Sequence, residues 1–147
     1  MPHVRNQMTL EFMSLSENES FARVAVAAFA SQLGYVTLPE IADLKTAVSE
    51  AVTNAIIHGY EHQSGMVRIE ATLYENGIQV SVIDQGVGIP DIDKAREMCF
   101  TTKPELERSG MGFAFMESMT DELTVDSKVG EGTTVTMTKW FRSAPAQ

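Results

Sequence analysis

Glu50-Ala51-Val52-Thr53-Asn54-Ala55-Ile56-Ile57-His58 is the stretch on which the fold reading turns. Its apolar positions, Ala51, Val52, Ala55 and Ile56, recur at helical spacing and belong to a core-facing stripe. Glu50, Asn54 and His58 stand at i, i+4 and i+8, each advancing about 40° around a helix, and form a slanted polar stripe beside it. The helix runs from about Ile41 to His58 and is stopped by Gly59; it begins after Thr37-Leu38-Pro39-Glu40, a capping box with a proline tolerated in the first turn. Taken alone, such a polar stripe is a solvated helix face. A binding role needs partner residues elsewhere in the chain.

Upstream, Met8 to Met13 alternates weakly and reads as a first strand. Ser16-Glu17-Asn18-Glu19 has the capping-box form, and the helix after it places Phe21, Val24, Ala25, Ala28 and Phe29 at three- and four-residue spacing, with Gly34 suited to close it. Glu19 and Arg23 form an i, i+4 pair on its polar side. Downstream, Val67, Ile69, Ala71 and Leu73 alternate, Asn76-Gly77 signals a hairpin, and Ile78, Val80 and Val82 alternate again, delivering Asp84 to a strand end. Helical spacing returns with Met111, Phe115, Met116 and Met119, and a hairpin of Leu123 to Lys128 and Thr133 to Phe141 turns at Gly130-Glu131-Gly132. This order predicts an α+β two-layer sandwich, a mixed, largely antiparallel sheet covered on one face by helices, as one domain over residues 1–147 with residues 1–7 and 142–147 frayed.

At 147 residues there is room for one core. The chain carries 11 basic and 20 acidic residues, a formal charge of −9, without a Lys/Arg block, which argues against direct nucleic-acid binding. Cys99 is the only cysteine, so no intrachain disulfide forms; it reads as a small packing residue, since no basic partner is evident. The longest apolar run near the start, Val24 to Ala30, is too short to span a bilayer, and the expected location is cytoplasmic with no membrane contact.

Three glycine-rich segments follow the Glu50 helix. Asp84-Gln85-Gly86-Val87-Gly88 sets a carboxylate before two glycines that permit close ligand approach. Gly110-Met111-Gly112 opens a helix whose N–H groups suit a phosphate. Gly130-Glu131-Gly132-Thr133-Thr134 is the third, and the irregular stretch from Thr101 to Ser109 reads as a functional lid or a loop. Each segment alone is an ordinary turn, but their order behind an E-x-x-x-N helix is specific. Over roughly residues 8 to 141 the chain resembles the GHKL nucleotide-binding superfamily, its N-box matching Glu50 to His58, its first glycine box Asp84 to Gly88, and its later boxes Gly110 to Gly112 and Gly130 to Thr133.

The resemblance implies ATP or ADP with Mg²⁺. Asp84, an acceptor, suits the exocyclic amine of adenine, with Gly86 and Gly88 beside it and Thr133 supporting the contact directly or through water. The Asn54 amide oxygen suits Mg²⁺. Lys103 and Arg108 meet the terminal phosphates or are solvated surface charges, and Ser109, Gly110 and Gly112 complete the nucleotide contacts. Glu50, one turn before the metal ligand, is the general-base candidate; His58 reads as a structural helix-end residue.

Ser16 to Arg23, Val48 to Tyr60 and Phe100 to Gly112 also look like the sporulation anti-sigma serine kinases of that superfamily. This closer likeness implies a homodimer that holds the sigma factor sigma-F and phosphorylates a serine of an anti-anti-sigma factor, stage II sporulation protein AA. It further implies that Glu19 and Arg23 lie on the surface shared by both partners; from the residues alone they are a surface ion pair. The pattern departs near Gly34 to Leu38, near Glu61 to Gly65, at the N-terminus and after Trp140. Two alternatives stay open: a non-catalytic, ATP-dependent sigma-binding module, and a related stress-response anti-sigma serine kinase.

Overall fold

The computed structural model describes residues 3–61, 63–96 and 112–146. Strand β1 (Val4–Met13) leads into helix α1 (Glu17–Ala30) and a 3-10 turn, Ser31–Leu33. Helix α2 (Leu38–Asn54) runs on into a π-helical turn, Ala55–Gly59. Strands β2 (Met66–Tyr74) and β3 (Gly77–Asp84) form a hairpin, then come the short α3 (Ile92–Ala95), α4 (Gly112–Met119), β4 (Glu122–Lys128) and β5 (Gly132–Trp140). The five strands order as β1-β2-β3-β5-β4, and every pair among the described residues is antiparallel.

Strand alternation sorts the sheet into two faces. Val67, Ile69, Ala71 and Leu73 of β2 are buried while Arg68 and Glu70 between them are exposed, as the period of two requires. The buried face meets α1, α2 and α4, with Leu44, Val48 and Val52 of α2 and Met116 of α4 fully enclosed. The two-layer α+β sandwich is thus the observed architecture.

Thr37 caps α2 as expected: its hydroxyl accepts the Glu40 N–H at 3.4 Å, and the Glu40 carboxylate accepts the Thr37 N–H at 3.1 Å. Gly34, at φ +82°, provides the left-handed residue that ends the turn after α1. The capping box expected at Ser16 does not form; Ser16 makes no side-chain cap bond, and the Glu19 carboxylate instead accepts from Arg23 and from Ser49 on α2.

The buried face of α1 is rotated from the expected stripe. Phe21 and Val24 are each 53% exposed, whereas Ala22, Val26, Phe29 and Ala30 face the core. Ala22, Val26 and Ala30 form a fully buried row four residues apart, and α1 packs against α2.

The β2–β3 turn is Glu75-Asn76 rather than Asn76-Gly77, since Gly77 pairs with Tyr74 across the ladder. Gly77 is small for a different reason: a Cβ there would stand 2.5 Å from a ring carbon of Trp140.

Both ends of the described chain make contacts. Val4 and residues 6–7 already pair with β2, and the Glu40 carboxylate accepts the Arg142 N–H at 2.8 Å and also the Ser143 hydroxyl. No helix among the described residues is long and apolar enough to cross a membrane.

Candidate nucleotide-binding site

At one end of the covered face the apolar pattern breaks. Ser127 on β4, Thr133 on β5 and Asp84 on β3 are cross-strand neighbours in a single row. One step inward the equivalent row is Val125, Val135 and Val82. Asp84 is 5% exposed and Thr133 4%, so a carboxylate and a hydroxyl sit at the margin of the core. A polar group is held there only when hydrogen-bonded. The Asp84 carboxylate accepts the Gly86 N–H at 2.9 Å and the Thr133 N–H. Burial still raises its pKa, against the lowering effect of those two N–H groups.

The end of α2 is clamped onto this row. The π-helical turn is closed by Tyr60 N–H donating to the Ala55 carbonyl, which lays Gly59 directly on the Asp84 carboxylate. A Cβ on Gly59 would fall 2.8 Å from Asp84 Cγ, and one on Gly86 would fall 1.9 Å from the Gly59 oxygen. The Gly59 carbonyl accepts the Val87 N–H at 2.8 Å. The Tyr60 hydroxyl accepts the Gln85 N–H at 2.8 Å and donates to the Met66 carbonyl at 2.6 Å.

The hairpin loop closes the other side. Gly132, at φ +117°, lies where a Cβ would meet the Asp84 carbonyl oxygen at 2.1 Å, and Gly130 N–H donates to the Val87 carbonyl at 2.8 Å. Gly88 packs on the Lys128 carbonyl. Three segments far apart in sequence therefore meet around one carboxylate.

Glu50 and Asn54 stand one turn apart on α2, both half-buried. The π-helical turn begins directly after Asn54, so His58 does not continue their stripe at α-helical spacing, a correction to the expected alignment. Gly112 is buried at the start of α4, which packs against α2. Lys103, Arg108, Ser109 and Gly110, with Cys99, lie outside the described residues. No cluster of three or more His, Cys, Asp or Glu side chains suited to a metal occurs among the described residues. The Asn54 amide oxygen offers a hard donor of the kind Mg²⁺ accepts when phosphate and water complete its shell.

On α1, Glu19 is 9% exposed, and the Arg23 guanidinium donates to both of its oxygens, at 3.0 and 2.9 Å. The pair is not a freely solvated one, because Ser49 on α2, the residue before Glu50, also donates to Glu19. Ser49, Gly59, Tyr60 and Ser127 were not among the site residues expected from the sequence, Gly59 being read only as a helix stop. Gly59-Tyr60 could have been, as a glycine-aromatic pair directly following the E-x-x-x-N helix; Ser127 carries no local signal.

A helical layer over an antiparallel sheet, with a buried aspartate at a strand end and glycines packed around it, defines a class of nucleotide-binding ATPase domain. Residues 12–139 match the histidine kinase-like ATPase domain, and the chain belongs to that family. Within it the chain groups with proteins named Anti-sigma F factor. That of Clostridium beijerinckii is 57% identical over 137 residues, covering 92% of this chain and 95% of the relative. That of Geobacillus kaustophilus is 54% identical over 144 residues, covering 97% and 98%. The fold also matches the solved RsbU and RsbW domains of a Mycobacterium tuberculosis protein, with TM-score 0.66 and 22% identity, over 93% of this chain and 32% of that one.

Proposed function

We propose that the protein is an anti-sigma factor and ATP-dependent serine kinase, which sequesters the sporulation sigma factor sigma-F and phosphorylates a serine of its anti-anti-sigma factor, stage II sporulation protein AA. The observation that carries the reading is the buried Asp84–Thr133 pair, with the end of the Glu50–Asn54 helix packed directly against it. The anti-sigma F relatives supply the partner class.

In this reading Asp84 and Thr133 hold the adenine, and Gly86 and Gly88 let the backbone come close. Asn54 would hold Mg²⁺, which would supply charge neutralisation at the phosphates. Lys103, Arg108, Ser109, Gly110 and Gly112 contact the phosphates. Glu50 takes the proton of the partner serine hydroxyl; that oxygen bonds to the γ-phosphorus as the bond to the leaving ADP oxygen breaks. Glu19 and Arg23 form the docking surface on a homodimer. The ATP site and the partner site are then on adjacent helices.

The test is transfer of labelled phosphate from ATP to the anti-anti-sigma protein. Glu50→Gln is expected to retain ATP binding and lose transfer by roughly a hundredfold or more. Undiminished transfer in that variant removes Glu50 as the base. Wild-type protein that captures sigma-F with ATP bound yet transfers no phosphate points to the binding-module alternative.

A further inference from the structure

The Ser127 hydroxyl oxygen meets three groups. The Ile89 N–H lies at 2.7 Å, the Gly132 carbonyl oxygen at 3.2 Å and the Thr133 hydroxyl at 2.7 Å. A serine hydroxyl has one proton to donate and two lone pairs. Ile89 N–H can only donate, and the Gly132 carbonyl can only accept. Were the Ser127 proton directed at Thr133, its oxygen would face the Gly132 carbonyl lone pair against lone pair. One arrangement gives all three contacts a donor and an acceptor: Ile89 N–H and Thr133 O–H both donate to Ser127, and Ser127 donates to Gly132. The Thr133 proton is then committed away from the nucleotide, and its oxygen presents lone pairs only.

We infer that Ser127 is a positioning residue that sets nucleotide specificity: by fixing the direction of the Thr133 hydroxyl, it makes the row beside Asp84 accept hydrogen bonds and donate none. The inference rests on the nucleotide reading above and deepens it. A 6-aminopurine brings two amine hydrogens to a pair of acceptors, whereas a 6-oxopurine brings a carbonyl that both would repel. Discrimination thus depends on a residue that need not touch the nucleotide. Thr133 stands directly opposite Asp84 in the ladder, so both side chains lie on the same face of the sheet.

The experiment is calorimetric titration of the whole chain with ATP and with inosine triphosphate, each with Mg²⁺. In Ser127→Ala the Thr133 hydroxyl is free to turn and donate, and the ATP preference is expected to fall about tenfold. Ser127→Thr keeps the hydroxyl and is expected to restore it. Since Ser127→Ala also releases Ile89, Thr133→Val is the second variant: it removes the acceptor, leaves the Ile89–Ser127 contact, and is expected to lower the same ratio through weaker ATP binding. A ratio unchanged in Ser127→Ala overturns the inference whatever Thr133→Val shows, as does wild-type protein that binds both nucleotides equally. Wild-type protein that binds neither overturns the nucleotide reading itself, and this inference with it.

Discussion

Asp84 is a carboxylate placed where water has largely been removed, with Gly59 pressed against it and two backbone N–H groups on its oxygens. Its pKa is raised because burial disfavours the charged form more than those N–H groups favour it. On the proposed reading, an amine donor from adenine would bond the ionised carboxylate, so binding would pull Asp84 toward deprotonation. ATP affinity is therefore expected to rise with pH through a range above that of ordinary aspartates and then level off, as titrations across the acid range will record. In Asp84→Asn, affinity is expected to drop about ten- to hundredfold and the pH dependence to vanish. Unchanged affinity would remove Asp84 from the site. Asp84 was legible as a candidate not from its own Asp84-to-Gly88 turn, which is ordinary by itself, but from the order of the glycine segments behind an E-x-x-x-N helix. Ser127 was not, because its role comes from three contacts contributed by two other segments.

At the scale of elements, legibility followed the competition each side chain faced. The Thr37–Glu40 box was readable because both partners lie within one turn and no tertiary group displaces them. The same pattern at Ser16–Glu19 failed because Glu19 falls on the buried row of α1, where Arg23 and Ser49 reach its carboxylate first. Core direction on α1 differs for a related reason: periodicity gives the spacing of apolar residues, but Phe21 and Val24 share that spacing with the buried row of Ala22, Val26, Phe29 and Ala30, and only the tertiary packing chooses between them. Arg23→Ala is expected to weaken capture of both protein partners by on the order of tenfold without changing ATP affinity, and Ser49→Ala in the same direction by less; pull-down with parallel calorimetry checks both, and untouched capture in Arg23→Ala moves the docking surface elsewhere. Around Glu40, burial pushes the carboxyl up, but hydrogen bonds from Ser143, Thr37 and Arg142 outweigh it and hold it at about 2. With the folded value depressed, its stabilisation is complete above the ordinary carboxylate range and is lost as pH falls toward 2. Glu40→Gln is expected to cost about 1 kcal/mol at neutral pH, read by urea unfolding, and to match the wild type at the acid end.

Across the whole molecule, the site lies where the sheet's apolar rows give way to a polar one and where the π-helical turn ends α2. The sheet and its alternation were readable because a half-buried strand repeats every two residues. The clamp of Gly59 and Tyr60 onto the Asp84 loop was not, because it joins segments that sequence spacing cannot bring together. Its tightness makes the candidate nucleotide cradle part of the folded core, so on the proposed reading ATP binding would also raise the stability of the fold. The measurement that tests this most directly is calorimetric titration of the purified full-length chain with ATP and ADP, with and without magnesium. One nucleotide bound per chain, more tightly when magnesium is present, is the expected result; absence of any heat of binding for either nucleotide would contradict it.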